Sequence, residues 1–182
     1  MKKVAVLVGS NRRESLNLKF AKALAKLAEG RLEFVFADIA NMEMFNDDLV
    51  ENFPAAPQAM KDVVASADAV LLVTPEYNRT ITAVLKSAID WGTRPVGENA
   101  WNGKPGAIVG ATPGAIGTAA AQMHLRSIMT GLGLILMGRP EVFVQVGPDL
   151  IDENSNITNE DTKKFLSGFI DSLAKWIDRV GE

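Results

Sequence analysis

The sequence predicts an α/β protein on a doubly wound five-stranded parallel sheet with helices on both faces. Two observations carry this. Residues 4–8 and 69–74 are β-branched and aliphatic runs without polar alternation, the pattern of strands buried on both sides of a parallel sheet. Between such runs lie segments with apolar residues at helical spacing, so strand and helix alternate along the chain. Each crossover is long enough for a right-handed βαβ unit.

The first strand, residues 4–8, ends at Gly9-Ser10. Residues 17–29 carry Phe20, Leu24 and Leu27 at helical spacing and stop before Gly30, which gives an amphipathic helix. Residues 31–37 alternate, with Leu32, Phe34 and Phe36 on one side of a second strand. A loop with Pro54 and Pro57 leads to a short helix over 58–66. The third strand, 69–74, is stopped by Pro75. A helix over 82–91, a strand over 105–110 and a helix over 117–132 follow. The last strand spans 134–146, interrupted at Gly138 and Pro140. Thr158 with Asp161 has the form of a capping box for a closing helix whose apolar face is Phe165, Phe169, Leu173, Trp176 and Val180.

At 182 residues and 47% hydrophobic, the chain has the apolar material for one core, so a single domain over 1–182 is expected. Nineteen basic against 22 acidic residues argue against a surface built to neutralise nucleic-acid phosphates. With no cysteine there is no thiolate, disulfide or Cys-ligated metal, so any redox chemistry needs a borrowed cofactor. No run approaches the roughly 20 apolar residues of a membrane span, and the N-terminus lacks a signal-peptide h-region. A cytoplasmic protein without membrane insertion is the expectation.

In doubly wound sheets, ligands bind outside the carboxyl ends of the strands. Three loops sit there. The first, residues 9–17, offers Ser10, Arg12, Ser15 and Asn17 at a helix N-terminus, groups that suit a phosphate monoester; alternatively it is a polar turn in which Ser15 or Asn17 caps the helix. It is neither a G-x-G-x-x-G fingerprint nor a P-loop. Residues 97–104 only imitate the latter, because Pro105 follows the lysine.

The second loop is Pro75-Glu76-Tyr77-Asn78-Arg79. It brings a flat amphipathic ring and amides for the edge of a heterocycle, or is an ordinary turn with an exposed tyrosine. Arg79 could pair with a neighbouring subunit, bind an anionic substrate or stay solvated. The third loop, with Thr112, Gly114 and Gly117, lets a backbone approach a planar ligand, or is a tight strand-to-helix connection. Converging on one sheet edge, the three loops describe a site for a mononucleotide with a flat head.

These residues resemble the flavodoxin-like NAD(P)H-dependent FMN reductases, in their bacterial quinone and chromate reductase branch. The pattern G-S-x-R-x-x-S-x-N is met at Gly9, Ser10, Arg12, Ser15 and Asn17, and P-E-Y-N at 75–78. Leu85-Lys86, residues 88–91, Gly117 and residues 122–126 continue the likeness. The resemblance implies a sheet order 2-1-3-4-5 and non-covalent FMN. Its phosphate would be held by Ser10, Arg12, Ser15, Asn17 and the Leu16 amide. Its ring would be lined by Pro75, Glu76, Tyr77, Asn78 and Arg79 and closed by Thr112 and Gly114.

It further implies hydride delivery from NADPH or NADH to the flavin and onward reduction of small oxidants such as quinones, flavins, azo compounds or chromate. No general acid or base is assigned, and His124 is read as a packing or interface residue. Relatives are homodimers or homotetramers; Glu141 of their contact network is retained, whereas Arg79, Ala120 and Met123 depart from it. The competing expectation is a non-enzymatic flavodoxin-type electron carrier, against which the modest net charge of −3 argues.

Overall fold

The computed structural model describes residues 1–181; Glu182, the last residue of the expected domain, lies outside the described residues. The first apolar run forms β1 (Lys2–Val8), in which Val4, Ala5, Val6 and Leu7 are completely buried. It is followed by α1 (Leu16–Ala28), β2 (Leu32–Ala37), α2 (Ala55–Ser66), β3 (Ala69–Val73), α3 (Ala83–Trp91), β4 (Pro105–Thr112) and α4 (Ala119–Gly131). Then come β5 (Ile135–Leu136), β6 (Val142–Gln145) and α5 (Glu160–Gly181).

The sheet is parallel in the order β2-β1-β3-β4-β5, and β6 also pairs with β4. The fifth position is therefore shared by two segments. Ile135 lies opposite Pro105 and Val142 opposite Val109, and Met137 still donates its N–H to Gly106 O at 2.8 Å, while residues 138–141, with Gly138 and Pro140, leave the ladder. Pro140 has no N–H to donate, and the strand expected over 134–146 with interruptions at Gly138 and Pro140 forms as two separate segments.

Period-two alternation sends β1 into both layers. Val4, Val6 and Val8 pack with Phe20 and Leu24 of α1 and with Phe169 and Leu173 of α5. Ala5 and Leu7 pack with Met60 of α2, Leu85 and Ile89 of α3, and Leu125 of α4. Truncating a completely buried side chain such as Phe169 to alanine costs about 3–5 kcal/mol.

Several boundaries differ from the sequence expectation for local reasons. α2 begins at Ala55, so Pro57 sits in the first turn, where a missing N–H costs nothing. A 3-10 turn over Asp47–Asn52, capped by the Asn46 side chain, was not foreseen. The capping box at Thr158 does not form: Asn159 Oδ1 accepts the Thr162 N–H at 2.9 Å, and the Thr158 hydroxyl donates to Asp149 O at 2.6 Å. The buried stripe of α5 is Leu166, Phe169, Ile170, Leu173 and Ile177, whereas Phe165 is 45% exposed. Trp176 is half-buried and its indole N–H donates to Ile135 O at 2.9 Å.

Candidate functional site

β1, β3 and β4 lie side by side and parallel, so the loops after them leave one edge at adjacent positions. β1 is the strand at which the order reverses, the place where doubly wound sheets bind ligands.

In the first loop, Ser15 is the N-cap of α1: its Oγ accepts the Leu18 N–H at 3.1 Å and its carbonyl the Lys19 N–H at 3.0 Å. Among the described residues, the N–H groups of Leu16 and Asn17 in the same turn have no protein acceptor, at the positive end of the helix dipole. Ser10 Oγ accepts the Arg12 N–H at 3.3 Å. The Arg12 side chain is exposed and, among the described residues, in no ion pair. Free amides, a hydroxyl and an uncommitted guanidinium make a cradle for a phosphate dianion.

The Asn17 side chain is elsewhere. It is 3% exposed; Nδ2 donates to Ala111 O at 2.8 Å and Oδ1 accepts the Ala111 N–H at 3.0 Å.

The second loop is a tight hairpin. Tyr77 and Thr80 exchange both main-chain bonds, at 3.0 and 3.1 Å, around Asn78 (φ 50°) and Arg79 (φ 69°). Two left-handed central residues define a type I′ turn. Asparagine tolerates that conformation; arginine at the second position costs about 1 kcal/mol. Pro75 is buried and Tyr77 is 54% exposed.

The Glu76 side chain, only 8% exposed, turns to α4, where its carboxylate accepts the Ala121 N–H at 3.1 Å and stands 3.6 Å from the Arg79 guanidinium. Thr118, the N-cap residue of α4, is left-handed and makes no side-chain cap, so the carboxylate of Glu76 serves the helix instead. Thr80 Oγ1 meets His124 Nδ1 at 3.0 Å, which makes the lone histidine an anchor of the hairpin.

In the third loop, Thr112 Oγ1 accepts the Gly114 N–H at 3.3 Å, and a Cβ on Gly114 would meet nothing nearer than 3.7 Å. Its main chain is thus open to a flat ligand. Gly110 is packed instead: a Cβ there would lie 2.1 Å from Thr118 Oγ1 and 2.4 Å from Thr74 O.

Each loop is also tied to another. Asn17 joins the first to the end of β4, and Glu76 joins the second to α4. Thr82 joins the second to the first, because its Oγ1 donates to Gly9 O at 2.8 Å while accepting the Leu85 N–H at 3.3 Å. Sequence reasoning missed Thr82 in this role, although a threonine directly before a helix is an N-cap signature. It also missed Val146, Gly147, Pro148 and Ile151, which with Leu16, Lys19 and Pro113 wall a cleft beside the first and third loops.

Ser10, Arg12, Ser15 and Leu16 are therefore gathered at one helix N-terminus, with the main chain of Asn17. Pro75 through Arg79 lie on one hairpin, and Thr112 and Gly114 on the adjacent loop. These residues fit a phosphate-bearing cofactor such as FMN, since the cradle supplies donors that the protein leaves unused. Among the described residues no cluster of His, Asp and Glu could hold a metal ion, and no helix is long and apolar enough to cross a membrane.

Known proteins point the same way. The pattern of the NADPH-dependent FMN reductases matches residues 2–149. A 2-hydroxy-1,4-benzoquinone reductase of Burkholderia sp. is 47% identical over 175 residues, 96% of each chain. A quinone reductase of Pseudomonas putida is 40% identical, covering 96% of this chain and 94% of its own. Among solved structures, FerB, a flavoenzyme NAD(P)H:(acceptor) oxidoreductase from Paracoccus denitrificans, superposes with a TM-score of 0.95 at 45% identity over 98% of both chains. An archaeal flavodoxin, at 12% identity and a TM-score of 0.59 over 94% of this chain and 98% of its own, shares the fold.

Proposed function

The chain belongs to the NADPH-dependent FMN reductase family, and from that premise we propose that it reduces quinones with electrons taken from NAD(P)H, through FMN held on the three loops. When bound, FMN supplies two-electron carriage between the nicotinamide and the second substrate. The observation that carries the reading is the cradle at the start of α1, where, among the described residues, the Leu16 and Asn17 amides and the Arg12 guanidinium have no protein partners and the Ser10 hydroxyl, which accepts the Arg12 N–H, keeps its own proton to donate.

In this reading Arg12 and the first-turn amides hold the phosphate, and Ser15 keeps those amides in place by capping the helix. Tyr77, Asn78 and the main chain of Pro75 and Glu76 line one side of the ring, and Thr112 and Gly114 the other. Arg79 extends exposed from the hairpin tip, 3.6 Å from the Glu76 carboxylate. The protein contributes binding, orientation and fixed dipoles and needs no general acid or base of its own.

The names of the relatives support quinones as acceptors. Flavins, azo compounds and chromate are further acceptors of the same proposal, because an open, flat site discriminates weakly among them. We further propose that residues 1–182 act as one domain, in the cytoplasm, as a homodimer or homotetramer, with either NADPH or NADH as donor. The enzymatic reading is favoured over the flavodoxin-type electron carrier, since the family is described by a nicotinamide-dependent reduction.

The test is an absorbance spectrum of purified protein supplied with FMN, before and after NADPH under nitrogen, followed by addition of 1,4-benzoquinone. A flavin spectrum that bleaches with NADPH and returns with quinone is expected. Protein that takes up no FMN, or whose flavin stays oxidised with NADPH and, in a second run, with NADH, overturns the reading.

A further inference from the structure

We propose that Asn17 is a positioning residue that locks the phosphate-side loop to the ring-side loop, and that its side chain makes no contact with the FMN phosphate. This rests on the FMN reading above but assigns Asn17 a different part in it from the one the sequence pattern implied.

In a parallel strand, successive residues direct their N–H and C=O groups to opposite neighbours. Val109 O takes the Thr74 N–H from the β3 side, and Thr112 O takes the Val146 N–H from the β6 side. Ala111 is in phase with Val109, so both its main-chain groups face the β3 side. There β3 has ended at Val73, and the chain departs through Pro75, which carries no N–H. Ala111 is 1% exposed and its groups need partners.

The Asn17 carboxamide supplies both, a donor to the carbonyl and an acceptor for the N–H, at 2.8 and 3.0 Å. It continues the ladder by one residue where the neighbouring strand is missing. Among side chains of this length, only a carboxamide presents a donor and an acceptor side by side. Were the side chain to swing to the phosphate, both Ala111 groups would be left unmet in the interior, and one such group alone shifts an equilibrium about tenfold. The backbone N–H of Asn17 stays free for the anion while its side chain fixes the residue before Thr112. Phosphate capture and ring-loop geometry thus meet in one residue.

Riboflavin, which has the ring but no phosphate, separates the two roles. Binding of FMN and of riboflavin is measured by quenching of flavin fluorescence for the wild type, Arg12→Ala and Asn17→Ala, below the melting transition of each. Arg12→Ala should weaken FMN about tenfold or more and leave riboflavin unaffected. Asn17→Ala should weaken both flavins by a common factor of about ten, keeping their ratio at the wild-type value. An Asn17→Ala protein that loses FMN affinity alone, or neither affinity, overturns the proposal.

A measurement on the unmutated chain decides the matter even if that variant does not fold. Nitrogen-15 spectra of riboflavin-loaded and FMN-loaded protein should differ at the Leu16 and Asn17 main-chain amides and coincide at the Asn17 side-chain amide. A side-chain amide that shifts with the phosphate overturns the proposal. Failure of the wild type to bind either flavin would instead defeat the FMN reading itself.

Discussion

The loops after β1 and β3 leave the same sheet edge and treat their polar groups in opposite ways. The first ends in a helix turn whose Leu16 and Asn17 amides, and whose Arg12 guanidinium, are left uncommitted among the described residues. The second commits nearly everything: Glu76 to Ala121, Thr80 to His124, Thr82 to Gly9, and Tyr77 to Thr80. It also holds Arg79 in a left-handed conformation. One loop is built to receive a charge and the other to keep a shape. Binding chemistry therefore concentrates where hydrogen bonds are missing, and rigidity where they are complete.

The largest expected effect comes from breaking the receiving loop. On the proposed reading, Arg12→Ala removes a charge-assisted contact of about 2 kcal/mol to the phosphate. Equilibrium dialysis should show FMN lost far more readily, while turnover in enzyme kept saturated with FMN changes little. A variant that purifies fully flavinated yet turns over slowly would reverse the assignment of roles.

The next effect comes from the shape-keeping loop. Glu76→Ala strips the cap from α4 and should lower stability in urea by about 1–2 kcal/mol; the exposed Arg79 guanidinium adds little to this figure. An unchanged midpoint would mean that the carboxylate does not serve the helix.

A smaller change, in the stabilising direction, should follow Arg79→Gly. Relief of the left-handed strain, about 1 kcal/mol, is partly offset by the greater freedom of glycine in the unfolded chain, for a net gain of about 0.5 kcal/mol. Thermal melts of the two proteins test it, and a lower melting temperature would show that the Glu76 contact outweighs the strain.

The smallest effect lies away from the site, in a segment that satisfies itself as the second loop does. Bonds from the Asn156 side chain, and then from the Asn156 and Asn154 main chain, hold the Asp152 carboxyl below its usual value of 3.8. Because the folded pKa is the lower one, this contribution is present above that usual value and is lost as pH falls through the folded pKa. Asn156→Ala should therefore lower stability slightly at neutral pH and leave it nearly unaffected well below pH 3.8, so that the acid limb of the stability profile is flatter. An identical acid limb in both proteins would remove the role given to Asn156.

Much of the fold was legible because its signals are local. The uninterrupted apolar runs at β1 and β3, the helical spacing through Phe20 and Leu24, and Pro75 as a strand stop each follow from neighbouring residues. The closing helix was legible as a helix and, at Phe169 and Leu173, in its buried face, but not at its start: Phe165 and Leu166 are adjacent, and which of them meets the core depends on where the sheet lies. The split fifth strand was half legible, in Gly138 and Pro140, because a break can be read from sequence but not the way each piece pairs afterwards.

The sequence by itself determined the alternation of elements, the three loops at the sheet edge, and the serine, arginine and amide chemistry of the first. Only the tertiary structure decided what Asn17, Glu76 and His124 do. Their partners lie 94, 45 and 44 residues away along the chain. A polar side chain next to a binding loop looks the same in sequence whether it faces a ligand or completes a broken backbone ladder. What separates the two is which main-chain groups the fold leaves without partners, and that is set only when the strands have ended.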